Sequence, residues 1–394
     1  MTLPVEINTG HFHGPIGQSF ITQTGRVQVN RPNYLGGPKS MARNQKETLT
    51  PKVGWAMAAD ICRKFIPAKR NILFTGMPGI GKTALIKLMG KELKHQLIIF
   101  HPVISDPTDF KGMPWLFKDL NGVERCVFVP FDQLEALINA KIPTICFLDD
   151  FGQAPDAVQA ACMQLLHGGT LNGKRISDMV TFVACTNRKQ DRAGVSAILE
   201  PVKSRFHGIF ELVPEIEPFL AFMIKEKHSP VLVAFLRHRP WWIVGGEDGW
   251  APCADIVNQA CPRTIEHLGD TVKMGFDKIT SQTVYQGAVG KGMANEYWAF
   301  EQLVVSLPDI DTVLNNPLNA EAPKTSEICY AMIGALHSRM DRGNLENIYK
   351  YIGLHFSKEM QAVFHWDVEA YNKGLIQHHA YIKWATAHGD MLSN

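Results

Sequence analysis

Short apolar runs alternate with helical stretches in the first half of the chain. The runs cover residues 71–75, 97–100, 144–148 and 179–185. Residues 156–167, between the third and fourth runs, have a helical pattern. Continuous apolar strands that alternate with helices are typical of a parallel sheet covered on both faces. The pattern therefore predicts an α/β fold.

A hairpin interrupts this alternation between the second and third runs. Segments 115–120 and 123–129 flank Asn121-Gly122. Asn-Gly is the strongest two-residue hairpin signal, because both positions must adopt a positive φ. A second pair of this kind, Asn172-Gly173, precedes the fourth strand. We therefore expect an inserted hairpin and a second tight turn.

Helices are predicted before the first strand and throughout the second half of the chain. Apolar residues at every fourth position predict a first helix with one buried stripe. These residues are Val53, Met57, Ile61 and Phe65. After residue 212 the strand signal ends, and segments 219–227, 231–236 and 264–274 have helical patterns separated by prolines. Further helical patterns follow from residue 307.

The composition is that of an ordinary soluble protein. Of 394 residues, 45% are hydrophobic and 20% charged, and the net charge of +2 indicates neither a nucleic acid nor a membrane as partner. No apolar run approaches the ~18 residues of a membrane span. The first residues lack the pattern of a secretory signal. The eight cysteines form no C-x-x-C pair, so we expect a reducing, cytoplasmic compartment.

Residues 76–83, GMPGIGKT, fit the phosphate-loop pattern G-x-x-x-x-G-K-[ST]. An apolar strand precedes them and a helical run follows, and this context disfavours the alternative of a chance glycine-rich turn. The glycines allow backbone N–H groups to surround phosphate oxygens, next to the positive end of the helix. Lys82 is expected to reach the β- and γ-phosphates of ATP, and the Thr83 hydroxyl to bind Mg²⁺. The expected phosphate-binding residues are Gly76, Pro78, Gly79, Ile80, Gly81, Lys82, Thr83 and Ala84.

Polar side chains end the third and fourth predicted strands. Asp149 and Asp150 follow the third strand, and Asn187 follows the fourth. Beside a phosphate loop, Asp149 is expected to assist the metal and Asp150 to polarise the attacking water. Asn187 can contact the γ-phosphate or orient the water, since ligands of open α/β sheets lie off the carboxyl ends of the strands. The alternatives are aspartates that cap the next helix and an asparagine that forms a turn.

Together these segments resemble an AAA+ ATPase of the MoxR type. This branch carries a hairpin insert in the second helix, is related to the chelatase ATPase subunits and includes phage- and prophage-like members. The resemblance covers about residues 50–300 and implies an AAA+ P-loop parallel-sheet sandwich with a helical lid and a helical C-terminal extension. The matching segments are GMPGIGKT, DPTDFKG, the Asn121-Gly122 hairpin, CFLDDFGQAPDAVQAACMQLL, ACTN, LEPVKSRF and CPRTIEHLG.

The resemblance also implies roles for individual residues. Arg205 occupies the position of the arginine finger that reaches a neighbouring subunit's ATP, Arg263 that of the sensor-2 arginine, and Asn187 that of sensor 1. An ordinary surface arginine is the alternative for Arg205 and for Arg263. The family usually ends the third strand in Asp-Glu, whereas this chain has Asp149-Asp150. Because a misplacement of about 1 Å can cost on the order of 10²-fold in rate, slow hydrolysis is one consequence to consider.

The expected function is Mg²⁺-dependent ATP hydrolysis. We expect the protein to form a homo-oligomeric ring, a hexamer, and to remodel or mature a protein partner in a chaperone-like manner. The resemblance suggests a partner with a von Willebrand factor A domain and no membrane. The alternatives are a nucleic-acid-handling ATPase of the helicase-loader or transposition-regulator type, and an ATP-binding switch with little turnover. The expected segments are an irregular N-terminal arm (1–50), an AAA+ α/β nucleotide-binding domain (51–213), a helical lid (214–306) and a C-terminal helical extension (307–394).

Overall fold

The computed structural model describes residues 50–172, 174–191, 198–245 and 255–392. The expected N-terminal arm, apart from Thr50, lies outside the described residues, as does Gly173 of the second Asn-Gly pair. No helix of the described ranges is long and apolar enough to cross a membrane. The cysteines within these ranges are free thiols.

Six strands form a parallel sheet, and four others form two small hairpins. The strands are β1 (Lys52–Val53), β2 (Ile72–Thr75), β3 (Gln96–Phe100), β4 (Met113–Lys118), β5 (Glu124–Val129), β6 (Thr144–Leu148), β7 (Thr170–Leu171), β8 (Lys174–Arg175), β9 (Val180–Thr186) and β10 (Gly208–Leu212). The order in the sheet is β1-β10-β2-β9-β6-β3. β4 pairs with β5, and β7 with β8, both antiparallel.

Helices cover the sheet and form the secondary structure of the residues described after β10. Those of the α/β part are α1 (Trp55–Phe65), α2 (Lys82–Glu92), α3 (Pro107–Lys111), α4 (Asp132–Ile138), α5 (Asp156–Gly168) and α6 (Glu200–Lys203). Those that follow are α7 (Ile216–Lys225), α8 (Pro230–His238), α9 (Trp241–Val244), α10 (Pro262–Lys273), α11 (Lys278–Val289), α12 (Lys291–Leu303), α13 (Ile310–Asn315), α14 (Ser326–Arg339), α15 (Leu345–His355), α16 (Lys358–Tyr371), α17 (His379–Ala387) and α18 (Gly389–Leu392).

The predicted parallel sheet is confirmed. Every residue of β6 and β9 is buried, which explains why these strands are mostly apolar rather than alternating between apolar and charged residues. The strand signal did not reveal β1 or β10. β1 has only two residues, and β10 contains Gly208 and the buried acid Glu211, which interrupt its apolar pattern.

The apolar stripe predicted for the first helix is confirmed at Ile61 and Phe65, which are partly buried and pack against the apolar core, and is wrong at its first two positions. Val53 belongs to β1, and Met57 is 58% exposed. The helix also packs on the sheet through the small, buried residues Ala58, Ala59 and Cys62. Small side chains allow a helix to approach the sheet closely, and a spacing rule that counts only large apolar residues overlooks them.

The inserted hairpin is confirmed, but its predicted two-residue loop is wrong. β4 and β5 are joined by residues 119–123, and of the Asn-Gly pair only Gly122 has a positive φ, of 75°. The Asp119 carboxylate accepts hydrogen bonds from the N–H groups of Asn121 (2.9 Å) and Val123 (3.0 Å). The aspartate thus supplies the turn's hydrogen bonds and allows a longer loop.

The helices after β10 are joined by a buried ion pair. Arg237 on α8 forms two hydrogen bonds with Asp367 on α16, Nε–Oδ2 of 2.9 Å and Nη2–Oδ1 of 2.5 Å. Both side chains are less than 8% exposed. A buried charge is costly unless its partner satisfies it, so the pair restricts how these two helices can pack. The boundary between the helical lid and the C-terminal extension, expected at residue 306, stays a prediction.

Candidate nucleotide-binding site

The predicted phosphate loop connects β2 to α2 at the carboxyl edge of the sheet. Gly79 and Gly81 have φ of 76° and 92°, a region that side chains rarely adopt. The Gly76 N–H donates to the carbonyl of Thr186 at the end of β9 (3.2 Å). The loop is therefore held against the strand that precedes Asn187.

Lys82 is the most strongly constrained residue of the loop. Its ammonium group donates to the carbonyls of Gly76 (2.9 Å) and Met77 (2.8 Å) and to Asn187 Oδ1 (2.7 Å). The residue is only 7% exposed. Burial lowers the pKa of Lys82 to about 8, although nearby acidic groups, Asp150 among them, act in the opposite direction.

Thr83 and Asp149, the two expected metal ligands, lie side by side. The Thr83 hydroxyl donates to Asp149 Oδ2 at 2.8 Å. Both supply the oxygen donors that Mg²⁺ prefers, and Mg²⁺ at nucleotide sites commonly takes one or two protein ligands together with phosphate oxygens and water. No cluster of three or more His, Cys, Asp or Glu within the described ranges could hold a metal by itself. The donor set therefore fits a metal that binds together with a phosphate ligand.

Asn187 connects Lys82 to Asp150. Its amide oxygen accepts from Lys82, and its Nδ2 donates to Asp150 Oδ1 at 3.2 Å. Burial, and next the charge of Asp149, raise the pKa of Asp150, while the charges of Lys82, Arg263 and His101 oppose the shift. A carboxylate with a raised pKa is a stronger proton acceptor at neutral pH. Asp150 therefore has the environment of a general base.

The first turn of α10 contacts the phosphate loop directly. The Arg263 N–H donates to the Gly79 carbonyl at 3.1 Å. Cys261 caps the helix, and a Cβ built on Gly79 would lie 2.6 Å from the Cys261 sulfur. Only glycine fits at this contact. The expected sensor-2 residue is thus joined to the loop through its own backbone.

The structure does not bring Arg205 to the other predicted site residues. Its carbonyl accepts from the side chain of Asn71 (3.4 Å), which immediately precedes β2. Arg205 therefore lies at the amino edge of the sheet, whereas the phosphate loop lies at the carboxyl edge. Four residues of strand separate the two edges, a distance of roughly 13 Å. Within one chain, Arg205 is on the wrong side to reach the loop.

No family model matches the chain, and no curated protein matches it. Among solved structures, the chain is similar to a mutant of RuvB from Thermotoga maritima, with 16% identity, coverage of 78% of this chain and 91% of that chain, and a TM-score of 0.38. A structure of NtrX from Brucella abortus has 11% identity, coverage of 80% and 68%, and a TM-score of 0.37. The Thermotoga maritima RuvB Holliday junction branch migration motor has 15% identity, coverage of 85% and 87%, and a TM-score of 0.31.

The parallel sheet, the phosphate loop between β2 and α2, and the helices after β10 define the fold class. It agrees with the expected fold class, an α/β sandwich with a parallel sheet and a P-loop, followed by helices.

Sequence reasoning missed an ionic cluster beside Asn187. The Arg188 guanidinium pairs with Asp191 (Nη2–Oδ1, 2.7 Å) and with Glu211 on β10 (Nη1–Oε1, 3.1 Å). Both acidic side chains are 4% exposed. The cluster joins the end of β9 to β10. The sequence does show an arginine directly after the strand-end Asn187. The acidic partners of this arginine could not be identified without the order of the strands in the sheet.

Sequence reasoning also missed Trp55, the first residue of α1. A Cβ built on Gly81 would lie 3.0 Å from Cζ3 of the Trp55 ring. The ring therefore lies against the phosphate loop. No local pattern indicates this contact, because Trp55 and Gly81 belong to different elements.

The lowered pKa of Lys82 leads to a prediction about the pH dependence of ATP binding. Phosphate charge favours the ammonium form, so the pKa of Lys82 should be higher in the complex than the value of about 8 without it. ATP affinity should then be constant near pH 7 and fall by up to about tenfold per pH unit above pH 8, with uptake of a proton on binding. Calorimetric titration between pH 7 and 9.5, in buffers of different ionisation enthalpy, measures both effects.

Lys82→Arg is the matched control for this measurement, because a guanidinium stays charged throughout this pH range. Whatever affinity this variant retains should not change with pH. An affinity of the wild-type protein that is constant up to pH 9.5 would contradict the assignment of Lys82 as the phosphate-pairing group.

Proposed function

We propose that the chain is a Mg²⁺-dependent, MoxR-like ATPase that works in the cytoplasm as a homo-oligomeric ring and remodels or matures a protein partner. The observation that carries the proposal is the convergence of Lys82, Thr83, Asp149, Asp150 and Asn187 at one edge of the sheet, linked by hydrogen bonds of 2.7–3.2 Å. The free thiols of the described cysteines agree with a reducing compartment.

Each of these residues has a role in ATP hydrolysis. The loop N–H groups and Lys82 would bind the phosphates, and Thr83 and Asp149 would hold Mg²⁺, which would neutralise charge that develops on the transferred phosphoryl group. Asp150 accepts a proton from the attacking water. Asn187 orients Asp150 through its amide N–H and contacts Lys82 through its amide oxygen. One amide thus connects the phosphate-binding group to the base.

The ring is proposed from the position of Arg205. An arginine that stabilises phosphate charge in the transition state must reach the γ-phosphate. Arg205 cannot do so within its own chain, because it lies at the opposite edge of the sheet, next to Asn71. A neighbouring subunit that presents its amino edge to this phosphate loop would bring Arg205 into reach. That the ring has six subunits is proposed from the family resemblance alone.

The partner is proposed to be a protein because of the β4–β5 hairpin. Its residues are exposed along both strands, with Trp115 63% and Leu116 75% exposed on opposite faces. Its two basic and two acidic residues cancel, so the hairpin lacks the positive charge that a nucleic-acid contact requires. Exposed apolar surface of this kind is typical of protein interaction sites. A von Willebrand factor A domain is the partner suggested by the resemblance.

The role of Asp150 can be tested by changing its charge and its length separately. Asp150→Asn keeps the acceptor for the Asn187 amide but removes the base, so ATP should still bind while hydrolysis stops. Asp150→Glu should preserve or increase the rate. Phosphate release and ATP binding are measured on each variant, with Asp156→Asn, at an exposed position of α5, as control. A wild-type rate for Asp150→Asn would move the base to another group.

The shared active site can be tested by mixing subunits. Arg205→Ala should bind ATP normally and hydrolyse it ~10³- to 10⁵-fold more slowly, the usual contribution of an arginine finger. Mixing it with inactive Lys82→Ala should restore some activity, because mixed rings contain interfaces with an intact loop and an intact Arg205. Subunit exchange is verified by energy transfer between labelled pools. Lys203→Ala, which removes only an exposed ion pair, is the control. A wild-type rate for Arg205→Ala would eliminate the finger assignment.

The nature of the partner can be tested by crosslinking from the hairpin. A photoreactive p-benzoylphenylalanine is placed at Trp115 or at Leu116 in the Asp150→Asn background, which should hold ATP. We expect nucleotide-dependent adducts that protease removes and nuclease does not. The control position is Trp366 on α16, which is also exposed (46%). Nuclease-sensitive adducts together with DNA binding that weakens steeply with salt would favour the nucleic-acid-handling alternative.

A further inference from the structure

The strand order makes the two sides of the phosphate loop chemically different. β9 and β6 lie on one side of β2, and there Asn187 contacts Lys82 and Asp149 contacts Thr83. On the other side of β2 lie β10 and then β1. If the loop binds a nucleotide, as proposed above, the γ-phosphate faces β9 and β6. The base then leaves the loop on the side of β10 and β1.

Trp55 stands on that second side. It comes just after β1, and because the strands are parallel it lies at the same edge of the sheet as the phosphate loop. Its Cζ3 and Cη2 atoms would lie 3.0 and 3.7 Å from a Cβ on Gly81. The ring is half-buried and packs against the apolar core under the sheet. It is therefore a firmly supported aromatic surface beside the loop.

The backbone of Trp55 is fixed by Glu215, which follows β10. Glu215 Oε2 accepts a hydrogen bond from the Trp55 N–H at 2.7 Å. A Cβ on Gly54 would lie 2.0 Å from the Glu215 carboxyl carbon, so a side chain at residue 54 would displace this carboxylate. Glu215 also immediately precedes α7, the first helix after the sheet. The ring position is thus set by the ends of two adjacent strands.

We propose that the Trp55 ring forms one wall of a nucleobase subsite and binds the base by stacking. This inference rests on the proposed nucleotide binding and extends it to the base. A nucleobase is flat and aromatic, and stacking on an aromatic side chain is tolerant of base identity because every base has a π-face. Trp55 therefore contributes affinity for nucleotides in general and little discrimination between adenine and guanine.

The test compares nucleotides with a ligand that has phosphates but no base. ATP, GTP and inorganic tripolyphosphate, each with Mg²⁺, are titrated calorimetrically into the full-length protein. Trp55→Ala should weaken ATP and GTP alike, by roughly 5- to 100-fold, the range that stacking on one aromatic side chain supports. Tripolyphosphate affinity should stay within about twofold of wild type. Lys82→Ala should weaken all three ligands, because it acts on the phosphates.

Two further variants separate stacking from packing. Trp55→Phe keeps an aromatic face and should retain most of the affinity for ATP. Trp55→Leu keeps apolar bulk without a π-face, and should behave like Trp55→Ala. Trp241→Ala, at a tryptophan of α9 that is 40% exposed, is the control and should change nothing. Thermal unfolding of each variant verifies that the fold is kept.

The outcomes distinguish this inference from the function on which it rests. Wild-type protein that binds neither ATP nor tripolyphosphate would overturn the proposed function. If both bind and Trp55→Ala weakens both equally, Trp55 only supports Gly81, and the base subsite is wrong while nucleotide binding stands. Equal ATP affinity for Trp55→Leu and wild type would likewise overturn the stacking role.

Discussion

The burial of one ammonium group, that of Lys82, is the constraint on which the site depends. A buried charge is unfavourable unless hydrogen bonds and opposite charges compensate for it. Three acceptors do so, two carbonyls of its own loop and the Asn187 amide oxygen. The loop must therefore curl back over its own lysine, and β9 must end beside it. The same burial leaves the pKa of Lys82 at about 8, so the lysine is mostly charged at neutral pH.

The parallel register of the central strands supplies these partners. Thr75 at the end of β2 pairs with Thr186 at the end of β9, which brings Asn187 level with the start of the phosphate loop. β6 pairs with β9 on the far side and places Asp149 within reach of Thr83. A slip of one residue would turn each buried side chain to the opposite face of the sheet. The complete burial of β6 and β9 strongly disfavours such a slip.

The helical part of the chain contacts the phosphate loop through the backbone of Arg263 and the side chain of Cys261. The Arg263 N–H bonds to the Gly79 carbonyl, and Cys261 packs on the same glycine. Movement of α10 therefore changes the environment of the loop directly. α10 packs against α7, whose neighbour α8 is paired with α16 through Arg237 and Asp367. A displacement at the loop can thus reach the C-terminal helices through packed elements.

The sequence by itself determined the central strands, the inserted hairpin and the residues of the candidate phosphate site. These features are encoded within single segments: apolar runs, glycines at a fixed spacing, and polar residues at strand ends. It missed the small buried residues of α1 and did not indicate β1 or β10, because small residues and short strands leave weak patterns. Only the tertiary structure decided which segments meet: Trp55 with Gly81, Arg188 with Glu211, Arg263 with Gly79, and Arg205 at the opposite edge of the sheet. Each of these contacts depends on strand order and on the packing of elements distant in sequence, and no local pattern of residues specifies either.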